Sequence, residues 1–177
     1  MSRMSYPDLL VEPLHEDHLE PLVQALLNPE VYAHIGERPA SHEVYKAQLR
    51  RMIAGPQRAE DADQLWLNFA LRRPGGVVMG HLQATVHHGL AEVAFLLRPD
   101  CWGQGLGSAA LHWLHGHLAS LRPTQGALPC WATTIPPNLR CQALLERHGY
   151  RLRELPRTVP LYSWDPGDLV YHRPDTA

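Results

Sequence analysis

Gly103, Gly105 and Gly107 alternate in the run Trp102-Gly-Gln-Gly-Leu-Gly-Ser108, directly ahead of an apolar pattern with helical spacing. Backbone N–H groups at a helix N-terminus converge on an anion, the positive end of the helix dipole reinforces them, and glycine lets a phosphate approach closely. The run therefore reads as a cradle for a diphosphate, with a plain structural turn as its bland alternative. Upstream, Glu92 is the lone carboxylate in the apolar segment Leu90 to Leu97. A carboxylate shielded from water takes a proton more readily than one in solvent, which makes Glu92 a candidate general base, directly or through a water. The competing assignment is structural, a carboxylate bonded to a neighbouring strand or to a loop arginine.

A dinucleotide-binding turn is the main competitor for the glycines. It places them almost immediately after the first strand and an acidic residue about 20 positions later. Here Arg98 to Trp102 intervene, the preceding strand lies mid-chain, and no Asp or Glu occurs between Asp100 and Glu146. The pattern disfavours a dinucleotide.

The elements that must position these residues follow from periodicity. Residues 8 to 14 read as a first strand, and Leu19, Leu22, Val23 and Leu26 as a helix that tolerates Pro21 because it lies near the helix start. Ser41 caps a second helix carrying Val44, Leu49, Met52 and Ile53, stopped at Gly55-Pro56. Leu65 to Arg73 and Val77 to His87 form a hairpin around Arg73-Pro74-Gly75-Gly76, and Gly89 turns the chain into Leu90 to Leu97, apolar on both faces and hence central. A helix from near Ser108 packs through Ala110, Leu111, Leu114 and Leu118. A strand from Pro129 to Thr134, a helix from Asn138 to His148, strands at 150 to 155 and 168 to 172, and a Pro-rich loop at 156 to 167 complete the chain.

With 177 residues the chain suits one compact unit. Its 16 Lys plus Arg against 18 Asp plus Glu leave a net charge of -2, so no basic field exists to hold nucleic acid or an anionic membrane. Cys101, Cys130 and Cys141 are odd in number and form no CxxC pair, which fits reduced thiols and no zinc site. Met1 to Asp8 lack a signal-like apolar stretch and no segment has a membrane-spanning run of ~20 apolar residues, so a soluble, cytoplasmic protein is expected. Among the twelve histidines, His112, His115 and His117 suit a solvated helix surface; His81, His87 and His88 suit surface or hairpin positions, with a proton relay as the alternative.

Ala91-Glu-Val-Ala-Phe-Leu-Leu-Arg-Pro-Asp-Cys-Trp-Gly-Gln-Gly-Leu-Gly-Ser-Ala-Ala110, followed by Asn138-x-x-Cys141-x-x-Leu144 and Gly149-Tyr150, resembles the GNAT superfamily of acyl-CoA-dependent N-acyltransferases. Within it the chain is most similar to the branch of RimJ and RimL type, which includes ribosomal-protein N-terminal acetyltransferases, and the likeness covers residues 8 to 173. The resemblance implies one α/β (α+β) domain over 1–177, with a mixed, mostly antiparallel sheet of six to seven strands. That sheet splays between its fourth and fifth strands and carries helices on both faces.

The same resemblance implies acetyl-CoA as cosubstrate, held by Leu96, Leu97, Trp102, Gly103, Gln104, Gly105, Leu106, Gly107, Ser108 and Asn138, with no metal. An N–H near Leu96 or Leu97 would take the oxyanion, and Asn138 would contact the cofactor arm unless it serves as an ordinary N-cap. Trp102 is usual for the branch and shifts polar work to Gln104 and the backbone. Cys141 replaces the usual Ser and is either an acid for the leaving thiolate or small core filler, whereas Leu145 excludes a tyrosine acid at its position. The implied reaction moves acetyl to a primary amine, of a small molecule or a peptide N-terminus, by direct attack in a ternary complex. A noncatalytic acyl-CoA sensor of the same fold is the alternative. Acceptor-facing candidates are Tyr32, His34, Glu37, Arg38, Arg157, Tyr162, Trp164 and Asp165, and the expected state is a monomer or homodimer.

Overall fold

The computed structural model describes residues 6–175. Met1 to Ser5 and Thr176 to Ala177, part of the stretch assigned above to one domain and to a leaderless N-terminus, lie outside the described residues. Strand β1 (Leu10–Pro13) precedes helices α1 (Leu19–Leu26) and α2 (His42–Ala54). Pro21 sits in the first turn of α1, where a missing N–H costs nothing. Ser41 Oγ accepts a hydrogen bond from the Val44 N–H at 3.2 Å to cap α2. Gly55 ends that helix with φ at +72°, a conformation that favours glycine.

A meander follows: β2 (Leu65–Arg72), β3 (Val78–His87) and β4 (Leu90–Leu97). The β3–β4 connection is a two-residue loop in which both His88 and Gly89 have positive φ, as a tight hairpin turn demands. Helix α3 (Leu106–Ser120), the short α4 (Arg122–Gln125), β5 (Cys130–Thr134), α5 (Leu139–Arg147), β6 (Arg151–Arg153) and β7 (Leu169–Arg173) complete the order. Helix α3 begins two residues earlier than the sequence suggested, because Gly105, at φ +77°, already serves as its N-cap. Strand β6 is shorter than the expected 150–155 because only Arg151 to Arg153 pair with β7; Tyr150 ahead of it is fully buried, its hydroxyl 2.9 Å from His115 Nε2.

The sheet has seven strands in the order β1-β2-β3-β4-β5-β7-β6. Only β4 and β5 run parallel, and they pair at just Ala91 with Cys130 and Glu92 with Trp131. Beyond that point Val93 to Leu97 pair with β3 alone and Ala132 to Thr134 with β7 alone, so the sheet splits at its centre. Leu111, Leu114 and Leu118 of α3 pack on Leu82, Ala84 and Val93 on one face. On the other, Leu22, Val23, Leu26 and Leu49 of α1 and α2 cover Ala70 and Val78. A smaller cluster of Leu90, Leu161 and Val170, with Trp131 and Trp164 against it, seats the Pro-rich loop ahead of β7. Among the described residues no helix is long and apolar enough to cross a membrane.

Candidate active site

The split between β4 and β5 opens into a cleft of about 880 Å³, a size suited to a substantial small-molecule ligand. Trp102, Gly103, Gly105, Leu106, Gly107 and Ser108 line one wall. The first-turn N–H groups of α3 have no intrahelical acceptor, and no side chain caps them at Gly105. At Gly107 a Cβ would come within 2.9 Å of Leu144 Cδ2, so glycine there lets α3 and α5 close on each other. Arg140 and Arg147, two turns apart on α5, line the same cleft and form no ion pair with a carboxylate among the described residues. The Arg140 guanidinium lies 4.0 Å over the Trp102 ring, and Trp102 Nε1 donates to Leu97 O at 2.8 Å, tying the loop to the end of β4. Unpaired cations beside free N–H groups make a donor set that fits a diphosphate.

Strand alternation decides which backbone groups face the split. Ala91 N–H donates toward β5, to Pro129 O, whereas Arg98 N–H donates toward β3, to Met79 O. Odd positions of β4 thus turn their N–H to the opening and even positions turn theirs to β3. Leu96, which lines the cleft through its side chain, therefore offers no N–H to an oxyanion; Leu97 does, together with Phe95, which sequence reasoning did not name.

Glu92 stands at the root of the split, 6% exposed. Its Oε1 accepts from the Tyr162 N–H at 2.7 Å and lies 2.6 Å from His87 Nε2. Its Oε2 accepts from the Ser163 N–H at 2.9 Å and, in a short bond, from Ser163 Oγ. The carboxylate does not itself line the cleft, but Ser163 does. Behind it, His87 Nδ1 lies 2.9 Å from His88 Nδ1, and the Tyr162 ring sits 4.4 Å from the His87 ring. His81 and His87 are 3% and 1% exposed, which corrects the surface assignment, while His87 does flank the β3–β4 hairpin turn opposite Leu90. They share a β3 face with Gln83 and Thr85, which stay partly exposed, whereas packing covers the two histidines themselves. His81 is bonded to Asn68 Oδ1 at 3.2 Å and burial pushes its pKa down to about 4.

The acetyltransferase (GNAT) domain model matches residues 8–151, which is most of the chain. The chain belongs to the GNAT acetyltransferase family. No curated protein matches its sequence. Among solved structures it is similar to the acetyl transferase of Salmonella typhimurium that modifies the N-terminal serine of ribosomal protein L7/L12, at TM-score 0.74 and 18% identity over 94% of this chain and 95% of that one. It is similar also to RimL, the ribosomal L7/L12 alpha-N-protein acetyltransferase, in complex with coenzyme A, at TM-score 0.74 and 19% identity over 94% of each chain. A GNAT-family acetyltransferase of Bacillus anthracis aligns at TM-score 0.72 and 17% identity over 97% of this chain and 98% of that one.

Within this GNAT acetyltransferase the remaining sequence candidates separate. Asn138 lines the cleft and caps α5, its Oδ1 accepting from the Cys141 N–H at 3.2 Å, so the N-cap reading is met at a position beside the cleft. Cys141 lines the cleft as well; burial raises its thiol pKa and the Thr134 hydroxyl lowers it in part. Gln104 turns away, donating to Asp100 O at 2.6 Å and accepting from Arg73 Nη2, so its side chain braces the loop from behind. Of the acceptor candidates, His34 and Asp165 line the cleft, whereas Tyr32, Glu37, Arg38, Arg157, Tyr162 and Trp164 do not. His115, expected on a solvated surface, is instead half-buried and bonded to Tyr150, and its pKa is pushed down to about 3 chiefly by that burial.

Sequence reasoning missed Arg140, Arg147, Ser163, Glu30 and Asp168, all of which line the cleft. The arginine pair had a signal in its spacing, two turns apart on one helix face beside the family asparagine. Ser163 and Asp168 lie on a loop whose path no local pattern reveals. Among the described residues no cluster of His, Cys, Asp and Glu has the arrangement of a metal site.

Proposed function

We propose that this chain, as one domain of the RimJ/RimL-like branch, moves acetyl from acetyl-CoA to a primary amine by direct attack in a ternary complex. The observation that carries the reading is that one cleft lining brings together charges of both signs. Free N–H groups of α3 with Arg140 and Arg147 suit the cosubstrate's phosphates, while Glu30, Asp165 and Asp168, on the 29–36 segment and the loop before β7, suit a cationic amine. No ion pair joins these three carboxylates to a Lys or Arg among the described residues.

Acetyl-CoA supplies the activated acetyl group. Trp102, Gly103, Gly105 to Ser108 and Asn138 hold it, the N–H groups of Phe95 and Leu97 face the developing negative charge, and Glu92 is the base. Cys141 serves as the acid for the departing sulfur: burial keeps its thiol protonated at neutral pH, as an acid in that role must be. The acceptor is a small-molecule amine or a peptide N-terminus, the latter supported by the likeness to enzymes that act on L7/L12.

The test is acetyl-CoA with a panel of amines and peptide N-termini, followed by thiol release and product mass, with acetyl-CoA binding measured separately. Acetylated product from at least one panel member is expected. Tight acetyl-CoA binding without transfer to any amine would replace this reading with that of an acyl-CoA sensor.

A further inference from the structure

Ser163 stands where the cleft meets the buried Glu92 network. Glu92 is sealed off: Tyr162 N–H, Ser163 N–H, Ser163 Oγ and His87 Nε2 surround its two oxygens, and it contributes nothing to the cleft lining. A general base must reach the proton it removes, directly or through one intermediary within hydrogen-bond distance. Ser163 Oγ is the group that touches the carboxylate and also belongs to a cleft-lining, exposed residue.

A hydroxyl has one proton and two acceptor lone pairs. The Ser163 proton is committed to Glu92 Oε2. Thr133 Oγ1 gives its one proton to Ser163 O at 2.8 Å, which holds the turn in place, and occupies one side of Ser163 Oγ at 3.2 Å. A lone pair on the other side remains for a donor in the cleft. Behind the carboxylate the distances suit His88 Nδ1–H donating to His87 Nδ1 and His87 Nε2–H donating to Glu92. All the contacts then aim hydrogens at the carboxylate, which acts purely as an acceptor. The neighbours facing it are Thr85 and His87 on β3, Trp131 on β5 with His172 beyond it on β7, and Tyr162 and Ser163 on the loop; none brings a fixed charge.

We propose that Ser163 is the hydroxyl through which the acceptor amine gives up its proton, with Glu92 as the proton's destination and His87 as the residue that positions Glu92. This rests on the acetyl transfer proposed above. The acceptor, bound as its ammonium form, first gives one proton to solvent; as the neutral amine nitrogen then bonds to the acetyl carbon, its next proton passes to Ser163 Oγ while the Ser163 proton passes to Glu92 Oε2. The carbon–sulfur bond then breaks, the sulfur takes a proton from Cys141, and Glu92 returns its proton through Ser163 to solvent, from which Cys141 is reprotonated. Protons and charge balance over the cycle.

The experiment compares wild type, Ser163→Ala and Ser163→Thr on acetyl-CoA and the amine panel, with pH-rate profiles and thermal midpoints. Ser163→Ala keeps both backbone N–H bonds to Glu92, so the loop retains its anchor. Its kcat is expected to fall about 10- to 100-fold, with the acid limb of the kcat profile altered, the KM for acetyl-CoA within about twofold and the thermal midpoint preserved. Ser163→Thr, which restores a hydroxyl, is expected to recover most of the rate. Unchanged kcat and pH profile in Ser163→Ala would overturn the relay while leaving acetyl transfer intact. Equal losses in both variants with a raised KM would overturn it too, marking Ser163 as structural. A wild type that binds acetyl-CoA but acetylates no amine would overturn the transfer reading, and the relay with it.

Discussion

The two walls of the cleft are made from different materials. The wall from Trp102 to Ser108 offers backbone N–H groups from one contiguous stretch, with Gly103 and Gly105 at φ +74° and +77° setting its path. Elsewhere the cleft works through side chains drawn from separated segments: Thr133 from β5 and Ser163 from the loop before β7 line it, backed by the buried Glu92 from β4 and His87 from β3. Backbone recognition needs a local conformation and tolerates many side chains, as Trp102 and Leu106 illustrate. A side-chain network needs each member at its place, and each member has the rest of the fold to hold it there.

This contrast predicts that the walls fail independently. The largest effect is expected for Glu92→Ala, which leaves the N–H groups of Tyr162 and Ser163 and the His87 ring without their acceptor. Several buried donors losing a partner at once should lower stability by about 3 kcal/mol, read from urea unfolding. Acetyl-CoA affinity should stay within about twofold of wild type, and a collapse of that affinity in a folded variant would break the comparison.

Gly105→Val is the converse. A β-branched residue at φ +77° carries backbone strain of ~1–3 kcal/mol, and its Cβ would sit 3.4 Å from Pro7 Cδ. Calorimetry should show acetyl-CoA binding weakened by roughly 30-fold, while the Glu92 network and the pH dependence of unfolding persist. Binding at wild-type strength would mean that side chains, chiefly Arg140 and Arg147, carry the donor wall.

A smaller effect touches both sides of the sheet. His81 and His115 titrate near 4 and 3 in the fold because burial opposes their charging, against about 6.5 in the unfolded chain. Between those values the unfolded state binds protons that the native state does not, so their contribution is complete above pH 6.5 and is lost as pH falls. From pH 7 to pH 5 the unfolding free energy should drop by on the order of 2 kcal/mol per histidine. His81→Asn should flatten that slope by about half; an unchanged slope would assign the acid sensitivity to other groups.

Much of the scaffold was legible because its signals are local. Ser41 with Val44, Gly55 after α2, and the turn at Gly89 each depend on a few consecutive residues, and the structure has them where sequence chemistry placed them. The apolar run Leu90 to Leu97 announced a central strand because burial on both faces removes the alternation. The errors lie where distant contacts decide. His87 reads as an exposed residue until Glu92 and Tyr162 enclose it, and Gln104 reads as a ligand group until Arg73 and Asp100 engage it. Leu96 and Leu97 were indistinguishable until the bond from Arg98 to Met79 established which way each N–H points.

By itself, then, the sequence determined the strands and helices, the glycine loop at the head of α3 and the family those motifs belong to, since periodicity, capping and positive φ act over a handful of neighbouring residues. Tertiary structure alone decided that the sheet splits after Glu92, that Arg140 and Arg147 line the same cleft as the loop, and that Ser163, at the cleft, bonds the buried Glu92. These depend on register and on packing between segments far apart in the chain, and nothing in the local pattern around either partner encodes the meeting.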